Sequence, residues 1–493
     1  MAYAELERRF HHLTDLDGAI EMLHWDQAAK MPRGGSEARA GQIAALRRAR
    51  HEALTAPDTG ELLDRAADES LDTWQAANLH AMRREWVHNA AVPADLVEEL
   101  STAASRCEAI WRDARAEGDF AVVADALERV VTAVRRQAEA VADSLGCAPY
   151  EALLDAFDPE LRLETVERVL GNLETEIPPL LDRARAHQEA APEGPGGPFP
   201  VPTQQAVARD LMQGLGFDFE HGRLDVSAHP FTGGVPDDVR VTSRYDGDSF
   251  APGIMATLHE TGHALYEQGL PRAWRGQPVG RAPGMILHES QALIMEMQVG
   301  RSRAFHDFLA PRLRDAFGGS GPAWNPDRLY RRHARVEPGF IRVDADEVCY
   351  PLHVALRYRL ERALVEGRMA VRDVPEAWHE GMRARLGLTP PDDGLGCLQD
   401  IHWYDGGFGY FPTYTLGAVA AAQLFRAACE AAPEIPDRLH QGETGPLLGW
   451  LRRWVHARGS VLGTEALLTE ATGRGLDVAP FLDHLRARYL SEG

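Results

Sequence analysis

Apolar residues recur every three or four positions through most of this chain, the period of an α-helix with one buried face. Val166, Val169, Leu170, Leu173 and Ile177 show it plainly. Over residues 1–187, Ala, Leu, Glu and Arg dominate and strand-like runs of Val, Ile and Thr are missing. Breaks there carry Pro or Gly, as at Met31-Pro32-Arg33-Gly34-Gly35. Pro178 and Pro179 predict a disturbance of their helix. The stretch EAAPEGPGGPFPVP, residues 189–202, is too rich in Pro and Gly for a regular element. Helix resumes over 203–215. Within 222–245 the period changes to two: Leu224/Val226 and Val239/Val241 alternate with polar neighbours across a Gly/Pro turn. Beyond 245 the helical period returns to the end, interrupted by a glycine- and aromatic-rich segment at 394–417. The pattern predicts a mainly α protein with one small antiparallel sheet.

Composition narrows the partners. The 493 residues are 44% hydrophobic and 26% charged, enough to bury a large core without disulfides or a structural metal. Lys and Arg number 52 against 74 Asp and Glu, a formal charge of −22. Such an acidic chain argues against nucleic acid or an anionic membrane as the main partner. Cys107, Cys147, Cys349, Cys397 and Cys429 are scattered and form no CxxC pair, so neither a disulfide framework nor a cysteine metal site is expected. The start, MAYAELERRFHHL, is charged, and no run approaches the roughly 20 apolar residues of a membrane span. A cytoplasmic protein is the expectation.

The chemistry gathers at GIMATLHETGHALYEQG, which contains HExxH as His259, Glu260 and His263. On a helix, residues i and i+4 share a face, so both imidazoles can reach one ion. Glu260, one residue round, can touch a water at that ion without ligating it, as a general base must. Ile254, Met255, Leu258 and Leu265 lie at helical spacing, so this helix is expected to be buried, and buried polar groups without partners are costly. Zinc sites that do chemistry use three protein ligands and an open position. The extended pattern HExxHxxGxxH is excluded, because Tyr266 and Gly269 stand at its last two positions. A glutamate on a following helix is the other common solution. Glu289 and Glu296 in MILHESQALIMEMQVG both qualify by spacing, while Glu267 would have to bend back. His288 and Gln291 are candidates for outer hydrogen bonds. Sites of the His₂Glu type take zinc, and cobalt or manganese can substitute.

A series of ordered motifs follows the same line. They are His229-Pro230-Phe231, Asp238-Val239-Arg240-Val241-Thr242, His259 to His263 and His288-Glu289-Ser290-Gln291. Ile341-Arg342-Val343-Asp344-Ala345-Asp346 and Gly396-Cys397-Leu398-Gln399-Asp400-Ile401-His402-Trp403 complete it. Trp25-Asp26-Gln27 with Met31-Pro32, and Gly409 to Tyr414 with Gly417, extend the match from 25 to 417. In these motifs the chain resembles the thermostable carboxypeptidase Taq family, the M32 metallocarboxypeptidases.

The resemblance implies one domain over residues 1–493, almost wholly helical and split by a long deep groove, with the small sheet beside the metal. Its N-terminal helical part, 1–187, would cover the groove, and 203–493 would form the catalytic part. It implies one zinc per chain on His259, His263 and Glu289, Glu260 as the catalytic glutamate, a homodimer, and broad removal of C-terminal residues from peptides. His402, Tyr410 and Tyr414 are the candidate donors to the oxyanion. A free α-carboxylate calls for an arginine fork, for which Arg342 leads and Arg240 is the rival. Structural pairs of Arg240 with Asp238, or Arg342 with Asp346, are the alternatives. His229 and Gln399 complete the candidate substrate contacts. The competing readings are an endopeptidase or dipeptidase on the same scaffold and an inactive peptide-binding protein; the retained Glu260 speaks against the second.

Overall fold

A computed structural model describes residues 1–490 of the chain. Among them, twenty α-helices and a single three-stranded sheet carry most of the regular structure, in agreement with the mainly α expectation. No helix among the described residues is long and apolar enough to cross a membrane. The chain gathers into two compact units, each assembled from three stretches. The first combines Met1–Trp86, Ala190–Ala334 and Ala420–Gly475; the second combines Val87–Glu189, Arg335–Val419 and the residues from Leu476 on.

In the first unit Leu6, Phe10 and Leu13 of helix Ala2–Ala29 bury themselves in a cluster with Leu54, Leu63 and Met82. Burial of each such side chain stabilises by about 1.5–3 kcal/mol. In the second, helix Ala121–Leu145 buries Val123, Leu127, Val130, Val131 and Val134. Helix Leu163–His187 of this unit runs through Pro178 and Pro179 instead of being broken by them. Ile177, Leu180, Leu181 and Ala184 continue its buried face past the prolines, and that burial outweighs the lost backbone bonds.

The sheet belongs to the first unit and departs from the expected antiparallel pair. Strands β1 (Gly222–Val226), β2 (Phe231–Val235) and β3 (Asp238–Ser243) lie in the order β1-β3-β2. β2 and β3 form an antiparallel hairpin, but β1 and β3 are parallel, with Leu224 opposite Val241. The sheet is therefore mixed. The stretch read as a turn contains a strand of its own, so the chain enters β3 running in the direction of β1. Gly233, Gly234 and the preceding Pro230 disguise it. Gly234 has φ +83° and lies so close to the partner strand that a Cβ there would stand 2.3 Å from the Asp238 carbonyl oxygen.

Helix Ala251–Gly269, which carries HExxH, docks on this sheet. Thr257 donates to Ser243 Oγ (3.0 Å), Ser243 donates to the Gly253 carbonyl (3.2 Å), and Val239 and Val241 of β3 are fully buried. Helix Met285–Leu293 crosses it at Gly262. A Cβ at that glycine would stand 2.3 Å from the Gln291 carbonyl oxygen and 2.5 Å from Ala292 Cα. The fourth residue of HETGH thus permits the backbone-to-backbone approach that brings Glu289 to the histidines. A π-helical turn, Ile294–Gly300, continues the second helix and carries Glu296.

Candidate active site

His259, His263 and Glu289 come together with one ligand atom from each within 4.8 Å of the others. His259 Nε2 lies 4.0 Å from Glu289 Oε1, and His263 Nε2 lies 3.8 Å from Glu289 Oε2. These gaps are too long for hydrogen bonds. The two Nε2 atoms and the carboxylate converge without bonding one another.

The Nδ1 atoms face outward to different partners. His259 Nδ1 is 3.0 Å from Glu296 Oε2, and Glu296 in turn accepts from Arg301 Nη2 at 2.9 Å. His263 Nδ1 is 2.7 Å from His288 Nδ1, and His288 Nε2 is 2.8 Å from Glu267 Oε1. The Glu267 carboxylate accepts from His288 Nε2–H, which leaves His288 Nδ1 to accept from His263 Nδ1–H. Both imidazoles are thereby oriented with Nε2 toward Glu289. Glu296 and Glu267 are outer partners, and Gln291 turns away to His456 Nε2 (3.0 Å) and Ser290.

Charge is unbalanced here. Glu260, Glu289 and Glu296 crowd the two imidazoles, and the guanidinium paired with this group is that of Arg301, on Glu296. Burial raises the Glu260 and Glu289 carboxyls above their usual range. Burial opposes protonation of His259, yet Glu289 and Glu296 push its imidazole up to about 10. Glu260 is 7% exposed, and Thr232 Oγ1 on β2 approaches its Oε2 at 2.8 Å.

The arginines separate by environment. Arg240 in the first unit forks onto Asp238 (Nε to Oδ1 2.7 Å) and lies 4.5 Å from the centre of the Trp25 ring. His229 is exposed, and its main-chain carbonyl accepts from the Ser227 hydroxyl.

In the second unit Arg342 is 5% exposed. Its Nε and Nη2 donate to Asp400 Oδ1 at 3.0 and 2.8 Å, and Nη1 donates to Tyr350 at 2.6 Å. Its partner is therefore Asp400, while Asp346 instead accepts the backbone N–H groups of Val348 and Cys349. Arg357, fully buried, donates to the other Asp400 oxygen, and its Nη2 has no hydrogen-bond partner among the described residues. Burial works against it, but the two guanidinium groups hold Asp400 well below the usual carboxylate range. Two arginines against one carboxylate leave one positive charge. Gln399 accepts from Arg342 N–H (2.7 Å) and donates to the carbonyls of Phe340, Leu395 and Gly396, so its amide staples two loops. His402 Nε2 is 3.2 Å from the Tyr414 hydroxyl, and the Tyr410 and Tyr414 rings meet edge-on at 5.0 Å. Burial pushes the His402 imidazole down to about 4, so it is neutral at pH 7.

Sequence reasoning did not find Thr232, Arg357, or the partnership of Asp400 with two arginines. Thr232 directly follows the HPF motif, the one signal that could have drawn attention to it.

The family model described as carboxypeptidase Taq (M32) metallopeptidase matches residues 5–489. The chain belongs to this family. Among its M32 relatives, thermostable carboxypeptidase 1 of Thermus thermophilus is 39% identical, with 98% of this chain and 97% of the relative covered. Carboxypeptidase 1 of Bacillus subtilis is 34% identical over 99% of this chain and 97% of its own. The solved structure of Trypanosoma cruzi metallocarboxypeptidase 1 superposes with a TM-score of 0.97 at 40% identity, covering 99% of each chain. That of an M32 carboxypeptidase from Deinococcus radiodurans gives 0.94 at 34%, covering 99% of this chain and 98% of that one. The protein is thus an M32 metallopeptidase.

Proposed function

We propose that this M32 enzyme removes C-terminal residues from peptides with broad specificity, using one zinc ion per chain on His259, His263 and Glu289 and Glu260 as general base. The observation that carries the reading is the convergence of two Nε2 atoms and one carboxylate beside a second, buried carboxylate. The donor set fits the ion: two imidazoles and a glutamate leave a position open, and the excess negative charge suits a divalent cation. Cobalt or manganese can fill the same set.

Zinc, when bound, supplies Lewis acidity toward water and toward the scissile carbonyl. Glu260 takes the proton of the attacking water as its oxygen bonds to the carbonyl carbon. It then delivers that proton to the leaving nitrogen as the C–N bond breaks, giving a shortened peptide and a free amino acid. His402, Tyr410 and Tyr414 offer hydrogen bonds to the oxyanion. Arg342 receives the terminal carboxylate, supported by the positive charge that Asp400 leaves uncompensated. Arg240, satisfied by Asp238 and Trp25, is assigned to docking the N-terminal helix on the sheet.

Replacing Glu260 by Gln tests the base. The variant is expected to keep its metal, measured by elemental analysis, and to lose roughly 10²–10⁴-fold in kcat. Near-wild-type turnover in the metal-loaded variant removes Glu260 from the role.

A further inference from the structure

We infer that Thr232 is a positioning residue for Glu260, holding one oxygen of its carboxylate so that the other is kept for the proton in transit. The inference rests on the reading of Glu260 as general base.

Strand alternation aims Thr232. Gly233 and Val235 face the N-terminal helix: a Cβ on Gly233 would lie 3.5 Å from Glu21 Oε2, and Val235 Cγ1 lies 3.1 Å from where a Cβ on Gly18 would stand. Thr232, adjacent to Gly233 along the strand, therefore points to the opposite face, toward helix Ala251–Gly269. Its Oγ1 lies 2.8 Å from Glu260 Oε2 and 3.0 Å from the Glu260 main-chain oxygen. A hydroxyl has one hydrogen, and both acceptors in reach belong to the same residue. The charged carboxylate draws that hydrogen to Oε2. Once Glu260 has taken a proton and its charge is gone, the hydrogen can turn to the main-chain carbonyl while Thr232 stays in place.

The two outer carboxylates at this centre have imidazole or guanidinium partners: Glu296 has His259 and Arg301, and Glu267 has His288. Thr232 is the sole hydrogen-bond donor to the Glu260 side chain among the described residues, and it leaves Oε1 without a protein donor. A threonine suits the task because its branched Cβ stiffens χ1 and suits a strand. A lone carboxylate with three torsions and a single protein donor gains its orientation from this one bond.

The test compares Thr232→Val, Thr232→Ser and Thr232→Ala in the zinc-loaded enzyme and again in the Glu260→Gln background. Loss of orientation at a reacting group costs on the order of 10–100-fold. Thr232→Val and Thr232→Ala should lower kcat by that factor, with KM and the zinc dissociation constant changed by less than about threefold. Thr232→Ser should recover most of the loss, because it restores the hydroxyl. In the Glu260→Gln background Thr232→Val should add little further loss, a coupling that a purely structural role would not produce. The inference is overturned if Val and Ala leave kcat near wild type, if Ser is as slow as Val, or if the loss caused by Val is undiminished in the Glu260→Gln background. Wild-type turnover by Glu260→Gln itself would instead sink the general-base reading, which the Thr232 series measures separately.

Discussion

Glu361 is a wholly buried carboxylate whose hydrogen-bond partners among the described residues are all neutral. Tyr150 donates to it at 2.7 Å, the Gly409 N–H at 2.5 Å and Trp403 Nε1 at 2.8 Å. Burial nevertheless pushes its carboxyl up to about 7, because three neutral donors do not replace water around a full charge. The folded pKa therefore lies above the unfolded one. The folded protein keeps this proton while the unfolded chain releases it, so stability falls as pH rises from about 4.5 to about 7 and is level above that. At about 1.4 kcal/mol per unit the penalty at pH 8 is on the order of 3 kcal/mol. Unfolding measured from pH 5 to pH 8 should show wild type losing about that much more than Glu361→Gln, which cannot titrate; parallel profiles would refute the assignment. Arg342 gives the second prediction at this scale. Truncating one side of a buried charge pair costs about 2–5 kcal/mol. Arg342→Ala should lower kcat/KM on free-acid peptides by roughly 30-fold or more, at 1.4 kcal/mol per tenfold. Arg342→Lys should rescue little, because an ammonium lacks the planar fork. Arg240→Ala should stay within a few-fold of wild type. A free-acid-specific loss in Arg240→Ala, absent from Arg342→Ala, would transfer the carboxylate contact to Arg240.

At the scale of elements, the crossing at Gly262 makes the centre. Ala there would be the better helix former by about 1 kcal/mol, but its Cβ would press on the Gln291 carbonyl. Gly262→Ala should therefore separate the two helices, displace Glu289 and weaken zinc affinity by at least about tenfold, read by competition against a chelator. Gly171→Ala, in helix Leu163–His187 with open space around its Cβ position, is the control and should be neutral or stabilising. Unchanged zinc affinity in Gly262→Ala would mean that the helices tolerate the methyl. Much of this level was legible in the sequence. Helical period announced the helices, and HExxH with a later glutamate narrowed the candidate ligands to two, between which spacing alone favoured Glu289 only modestly over Glu296. Strand β2 was not legible, because Gly233 and Gly234 suppress the alternation that marks a strand. The continuity of helix Leu163–His187 was hidden for a different reason: local proline chemistry is overridden by tertiary burial that no window of sequence contains. The same holds for Asp400, whose partners Arg342 and Arg357 stand 58 and 43 residues away.

Across the whole molecule, each compact unit draws on three separated stretches, so composition along the line does not announce them. The candidate zinc ligands and Glu260 lie in one unit; Arg342, His402, Tyr410 and Tyr414 lie in the other. The proposal assigns bond cleavage to the zinc ligands, Glu260 and the oxyanion donors, and the choice of chain end to Arg342. One peptide in two forms tests this most directly. The zinc-loaded enzyme is incubated with a free-acid peptide and with the same peptide amidated at its C-terminus, and products are followed by mass spectrometry over time. Stepwise loss of single residues from the free acid, with the amide left largely intact, is the predicted result. Internal fragments, or equal cleavage of the amide, would contradict it.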